Sequence, residues 1–376
     1  MVSYNYITTW EGDKFMNVIQ IMLHKVTLGM TLAEDVYKGT QLLMQKGTVI
    51  DNEALNILRY SSIVSVAVYG MDLNQKNTPS VEVPQQTHSE KVRKSESFKI
   101  FEEHFQESTE NFSYTLTDIA TKNGEVNIDN LFESANEIMA GETNTYHLMD
   151  ILSNIRYFDD STYAHSLNVA MLANIFGRWL HLGERDLKIL TVAGMLHDIG
   201  KVLMPPEIIK KPGALTPEEY QIIKTHPLKG YQLLKSKNVD ENIARAALMH
   251  HEKCDGTGYP IGLKQNKIHE IAKLITIVDI YEAMTANRCY RAALCPFDVI
   301  KMFEDEGYTK YDPKYLVPFL HGISDTYLHN TVLLNDGRKG EIIMTNKNQV
   351  SRPSIMSGTS YIDLTYHPEL KIVAIL

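Results

Sequence analysis

At 376 residues, 44% hydrophobic and 22% charged, the chain has ordinary globular composition and enough apolar material for two or three domains. A net charge of −9 argues against a DNA or RNA polymer as partner, while local lysines and arginines leave a small anionic substrate open. The three cysteines, Cys254, Cys289 and Cys295, fit neither a disulfide framework nor a CxxC zinc site, and no apolar run reaches the ~18 residues of a membrane span.

In chain order, residues 1–16 (MVSYNYITTWEGDKFM) lack the basic and apolar regions of a secretion signal and read as an N-terminal extension, with Met16 an alternative start. Together with the cysteine usage this points to a cytoplasmic protein. Residues 17–73 mix short β-like runs (NVIQIML, QLLMQ, VSVAVYG) with one helical stretch, DNEALNILRY, which Asp51 would cap. A small α/β or β-rich module follows from that pattern. The polar stretch 74–97, with two prolines and no sustained apolar period, reads as a linker.

From Phe98 to residue 325 the helical period dominates. Phe98, Phe101, Phe105 and Phe112 mark a helix over 98–122, read as packed inside the chain, with a homodimer contact as the alternative. TPEEYQIIKTH carries a capping box: Thr216 as N-cap, Pro217 behind it and Glu219 reaching back. In HSLNVAMLANIF, residues His165, Val169, Leu172 and Phe176 share one face, so the histidine looks inward. Residues 326–376 return to short strands with Asn-Asp-Gly and Ser-Gly turns, a small β appendage.

The helical block collects His165, His197-Asp198, His226, His250-His251 and Asp279, each in or at the end of an apolar segment. A buried imidazole or carboxylate loses hydration and needs a partner. Five histidines and two aspartates do not readily satisfy one another, whereas metal ions would satisfy them together; imidazole and carboxylate suit iron, manganese, zinc or nickel. Adjacent helical residues point about 100° apart, so His250 and His251 can share a centre only at a helix end. Gly256 and Gly258 supply that end.

HSLNVA, GMLHDIGK, KPGALTPEEY, HPLKGYQLL, HHEKCDGTGYP and VDIYEAMTANRCYR together resemble the HD-GYP family, the phosphodiesterase branch of the HD metal-dependent phosphohydrolases. The resemblance spans about residues 145–305. It implies a mainly α fold, an all-helical HD-type domain over 98–325 between the two β pieces. It also implies a bacterial signalling enzyme that cleaves cyclic di-GMP or a related 3′,5′-cyclic dinucleotide to a linear dinucleotide or GMP. Its metal ligands would be His165, His197, Asp198, His226, His250, His251 and Asp279, with Asp198 bridging two cations that activate a bridging water. Lys201 would meet the scissile phosphate, Arg288 and Arg291 would hold phosphate oxygens, and Tyr259 would line the pocket.

Three positions depart from the family pattern. Ser161 stands where members with a third metal carry Glu, so two divalent ions are expected, iron or manganese by resemblance. Cys254 replaces a frequent aromatic. Glu282 replaces an aspartate and lengthens that arm by one methylene. The alternatives are a dinucleotide sensor without turnover and an HD-type nucleotidase.

Overall fold

The computed structural model describes residues 6–11, 14–22, 26, 29–38, 41–51, 54, 58, 65–69, 88–122, 124–139, 144–155, 162–209, 211, 215–286 and 293–376. Two compact units divide the chain, Met1–Val83 and Pro84–Leu376.

In the first unit, strands Tyr6–Glu11, Lys14–Met22 and Ser65–Tyr69 form an antiparallel sheet in that order, and Val36–Lys38 pairs with Gln41–Met44. Leu32, Ile50, Leu58, Val66 and Val68 fill its core. Asp51 accepts the Ala54 N–H at 2.8 Å, the cap expected of it. The expected extension needs correction: its boundary at residue 16 falls inside Lys14–Met22, and Tyr6–Glu11 pairs with that strand from Tyr6↔Ile19 to Glu11↔Lys14. The signal passed over is Gly12-Asp13, a turn-type dipeptide between two strand-like runs.

The second unit is helical in its larger part. The expected linker also needs correction, because its end is helical: His88–Lys94, then Glu96–Thr121. Ser95 caps the longer helix by accepting the Phe98 N–H at 3.1 Å, and Val92 reaches the core. One buried apolar residue in so polar a stretch leaves no readable period. Phe98, Phe101, Phe105 and Phe112 are all buried in the chain's own core, which settles their role as intramolecular packing.

Thr162–Trp179 runs through the middle, buried on every side from Ala164 to Gly177. It lies against Glu184–Leu196, and Gly194 permits the approach: a Cβ there would stand 2.7 Å from Ala170 Cα. Burying side chains such as Leu172 and Phe176 contributes about 1.5–3 kcal/mol each. Further along lie His226–Ser236, Glu241–Met249, Glu270–Thr285 and Pro313–Asp325. After Asp325 the chain forms a five-stranded antiparallel sheet, ordered Ile372–Ile375, Thr331–Leu334, Lys339–Met344, Ser354–Ser357, Ser360–Asp363. Gly337 and Gly358 turn two of its hairpins at positive φ. Val332, Leu334, Ile342, Ile355 and Ile372 join the helical core, so the β appendage packs as part of that unit. No helix among the described residues is long and apolar enough to cross a membrane.

Candidate metal centre

Each predicted ligand sits where a helix begins, ends or turns a face inward. His165 lies in the first turn of Thr162–Trp179, and His197-Asp198 immediately follows Glu184–Leu196. His226 opens its helix with Pro227 behind it, as that proline lacks the N–H a first turn leaves unused. His250-His251 follows Glu241–Met249, and Asp279 projects from Glu270–Thr285. The doublet thus sits at a helix end, with Gly256 at φ +84° in the loop beyond.

The structure brings all seven together in two groups: Asp198, His226, His250 and His251, and His165, His197 and Asp279. Within each, one ligand atom per residue lies within 4.8 Å of the others. Asp198 stands between them. Its Oδ1 is 3.1 Å from His226 Nε2 and 3.6 Å from His250 Nε2. Its Oδ2 is 3.3 Å from His197 Nε2 and 3.7 Å from His165 Nε2. Asp279 Oδ1 lies 3.1 Å from His165 Nε2.

Backbone carbonyls fix three of the rings. A carbonyl only accepts, so the Nδ1–H groups of His197, His226 and His250 donate to Gly194, Ile223 and Ala247, at 2.7, 2.7 and 2.9 Å. Their Nε2 lone pairs therefore face inward, the tautomer a metal needs. His165 differs: its Nδ1 meets Glu282 Oε2 at 2.5 Å, and Asn168 Nδ2 donates to Oε1 at 3.3 Å.

The electrostatics agree with a cation site. Burial pulls His250 down to about 4, assisted by His197 and His226, and pulls His251 well below its usual range. Burial opposes ionisation of Asp198, yet Lys201 and His197 hold its carboxyl well below the usual range, and His165 and His197 do the same for Asp279. His165 alone rises, to about 9, as Glu282 and Asp279 overcome its burial. Neutral imidazoles and ionised carboxylates are the ligand forms, so His250, His251, Asp198 and Asp279 already stand in them, whereas His165 has to give up its proton to take a cation.

Protein groups alone leave the cluster unsatisfied. His197 Nε2 and Asp198 Oδ1 are buried without a hydrogen-bond partner, for Asp198 Oδ1 lies close to His226 outside bonding geometry. One orphaned acceptor in each of the two ligand groups suits a divalent metal centre.

Around this pocket, Lys201 Nζ meets Asp198 Oδ2 at 2.5 Å. Tyr259 stacks on His251, ring centres 4.5 Å apart and planes 27° apart. Lys224 Nζ stands 5.2 Å from the Tyr259 ring centre and 5.8 Å from that of Tyr220. Arg288, Arg291 and Ser161 lie outside the described residues. Cys254 is half-buried and donates its backbone N–H to Lys310 at 2.8 Å.

Two buried glutamates stand beside the seven clustered residues, and neither is among the predicted site residues. Glu282 was read as a lengthened arm, although its place three residues after Asp279 puts both carboxylates on one helix face. Glu252 accepts backbone N–H bonds from Ile261, Gly262 and Leu263 at 2.8, 3.1 and 2.7 Å.

Residues 131–315 match the protein-family model described as HD domain. Over 206 residues the chain is 32% identical to the cyclic di-GMP phosphodiesterase PA4108 of Pseudomonas aeruginosa, covering 54% of this chain and 49% of that protein. It is 32% identical over 194 residues to the cyclic di-GMP phosphodiesterase response regulator RpfG of Xanthomonas campestris, covering 51% of each. It is 36% identical over 153 residues to the 3′3′-cGAMP-specific phosphodiesterase 3 of Vibrio cholerae, covering 41% of this chain and 33% of that protein. The chain thus spans about half the length, or less, of these curated relatives.

Proposed function

We propose that this chain, whose residues 131–315 match the HD domain model, is a metal-dependent phosphodiesterase acting on cyclic di-GMP or a related 3′,5′-cyclic dinucleotide. The observation that carries the reading is Asp198, whose two oxygens divide between the two ligand groups. A carboxylate so placed could offer one oxygen to an ion in each group, and an imidazole, with one free nitrogen, could not. The curated names of the relatives, cyclic di-GMP and cGAMP phosphodiesterases, support the substrate class.

Asp198, His226, His250 and His251 would hold one ion, and His165, His197 and Asp279, with Asp198, the other. Iron or manganese is the proposed pair, on resemblance; the same donors also accept zinc and nickel. Bound divalent cations supply Lewis acidity and an activated water for attack on phosphorus. The chain's residues do the rest. Lys201, beside the bridging carboxylate, places an ammonium where negative charge grows on phosphate oxygens. Arg288 and Arg291 are proposed to hold further phosphate oxygens through their guanidinium forks. Tyr259 presents a ring at the pocket's edge, and burial pushes its phenol up, so it stays a neutral donor. The product is a linear dinucleotide, GMP, or both.

The test is purified chain loaded with manganese, incubated with cyclic di-GMP, and product chromatography. Asp198→Ala should lose metal and turnover together. Lys201→Ala should keep the metal and cleave roughly 100-fold more slowly or worse. Full turnover by Asp198→Ala without metal would reject the mechanism, and tight dinucleotide binding without cleavage by the wild type would leave a sensor.

A further inference from the structure

His251 differs from the other four imidazoles in how its ring is held. Three donate Nδ1–H to a carbonyl on their own segment, and His165 leans on Glu282. Among the described residues no hydrogen bond reaches the His251 ring. What lies against it outside the ligand cluster is the Tyr259 ring, at 4.5 Å and 27°. Tyr259 in turn donates its backbone N–H to the His251 carbonyl at 3.1 Å, so residue and ring are both registered on the same ligand.

The loop that carries Tyr259 is fastened close by. Gly258 presses on the ligand's own backbone: a Cβ there would fall 2.5 Å from His251 O and 2.4 Å from Lys253 N. Beyond it, three consecutive backbone N–H groups converge on the buried Glu252 carboxylate, next in sequence to His251. Charge-assisted bonds from three amides hold a loop more firmly than neutral ones. Both ends of the lip are thereby tied to the residue pair His251-Glu252.

We infer that the Gly-Tyr-Pro lip is the orienting partner of His251: Tyr259 fixes the ring by stacking, and Glu252 fixes Tyr259. Both are positioning residues for one half of the metal centre, the half formed by Asp198, His226, His250 and His251. This rests on the metal reading above and adds a role to Tyr259 beyond lining the pocket. An orienting partner of a metal ligand is typically worth roughly 10–100-fold in affinity. The ring should carry that effect and the phenol oxygen should not.

The experiment titrates metal-free wild type, Tyr259→Phe, Tyr259→Ala and Glu252→Gln with manganese, reading stoichiometry and affinity by competition with a chromophoric chelator. Wild type should take two ions. Tyr259→Phe keeps the ring and should bind both as wild type does. Tyr259→Ala should weaken one ion roughly 10–100-fold and leave the other unchanged, and Glu252→Gln should weaken the same ion. Wild-type affinity for both ions in Tyr259→Ala overturns the inference. So does a Tyr259→Phe protein that behaves like Tyr259→Ala, or equal weakening of both ions, which would mean general loss of structure. Wild-type binding by Glu252→Gln overturns the clamp. If the wild type itself binds no ion, the fault lies with the metal reading rather than with the lip.

Discussion

Glu282 holds His165 from a position one turn beyond Asp279, and both carboxylates touch the same imidazole from opposite nitrogens. With a carboxylate on Nδ1 the ring becomes a stronger donor through Nε2 than one held by a carbonyl. Glu282→Gln keeps the volume and removes the charge. It should weaken the ion at His165, His197 and Asp279 by roughly 10–100-fold, read by chelator competition, while leaving the other ion in place. Two ions of unchanged affinity would show that the carboxylate does not orient His165. The seven clustered residues themselves could be read from the chain, because each is a polar residue placed against an apolar segment, where the cost of burial demands a reason. Their supports could not. Gly194, Ile223 and Ala247 act through backbone oxygens that every residue carries, and the spacing of Glu282 from Asp279 puts both on one face without telling that His165 stands opposite.

Among the elements, those with a chemical stop or start were legible. Thr216 and Glu219 form the capping box in both directions, at 3.2 and 2.7 Å, and their helix begins at Pro217 as expected. Helix His88–Lys94 has no such marks, and its sequence reads as linker. Close element contacts are a second kind of information that residue types hint at without locating. Gly200, in the short Ile199–Leu203 turn, lies against the start of His226–Ser236: a Cβ would fall 2.0 Å from His226 O and 2.7 Å from Gly230 N. Neither is a side chain that can swing aside. Gly200→Ala should therefore push the two elements apart, costing about 1–3 kcal/mol or more, and draw His226 away from Asp198. A lowered melting temperature together with loss of at least one ion is the expected result. An unchanged melt with two ions bound would mean the contact relaxes at no cost.

Across the whole Pro84–Leu376 unit, one core runs from Val92 to Ile372, and the metal centre lies among the helices that supply it. The sequence marked the C-terminal strands as an appendage because strand alternation is local, and nothing in TVLL or SIMS says which surface will cover it. Burial answers that question only after the chain has folded. The seven candidate ligands lie in or directly beside five segments, so the proposed pair of ions would together tie Thr162–Trp179, Glu184–Leu196, His226–Ser236, Glu241–Met249 and Glu270–Thr285 to one another. Without cations the buried carboxylates Asp198, Asp279 and Glu282 gather beside Lys201 and the imidazoles, and cations would offset their mutual repulsion. Metal that binds the folded state alone adds about 2.7 kcal/mol for each site at a free concentration 100 times its dissociation constant. At a few degrees or less per kcal/mol in a unit of this size, stripping both ions should lower its melting temperature by roughly 5–10 °C. No residue of Met1–Val83 belongs to either ligand group among the described residues, so a transition of that unit should stay where it is. Calorimetry before and after chelation, then after manganese is restored, measures both. If the larger transition does not move, or moves without recovering on restoration, the buried cluster is no cation site and its histidines and aspartates balance one another unaided.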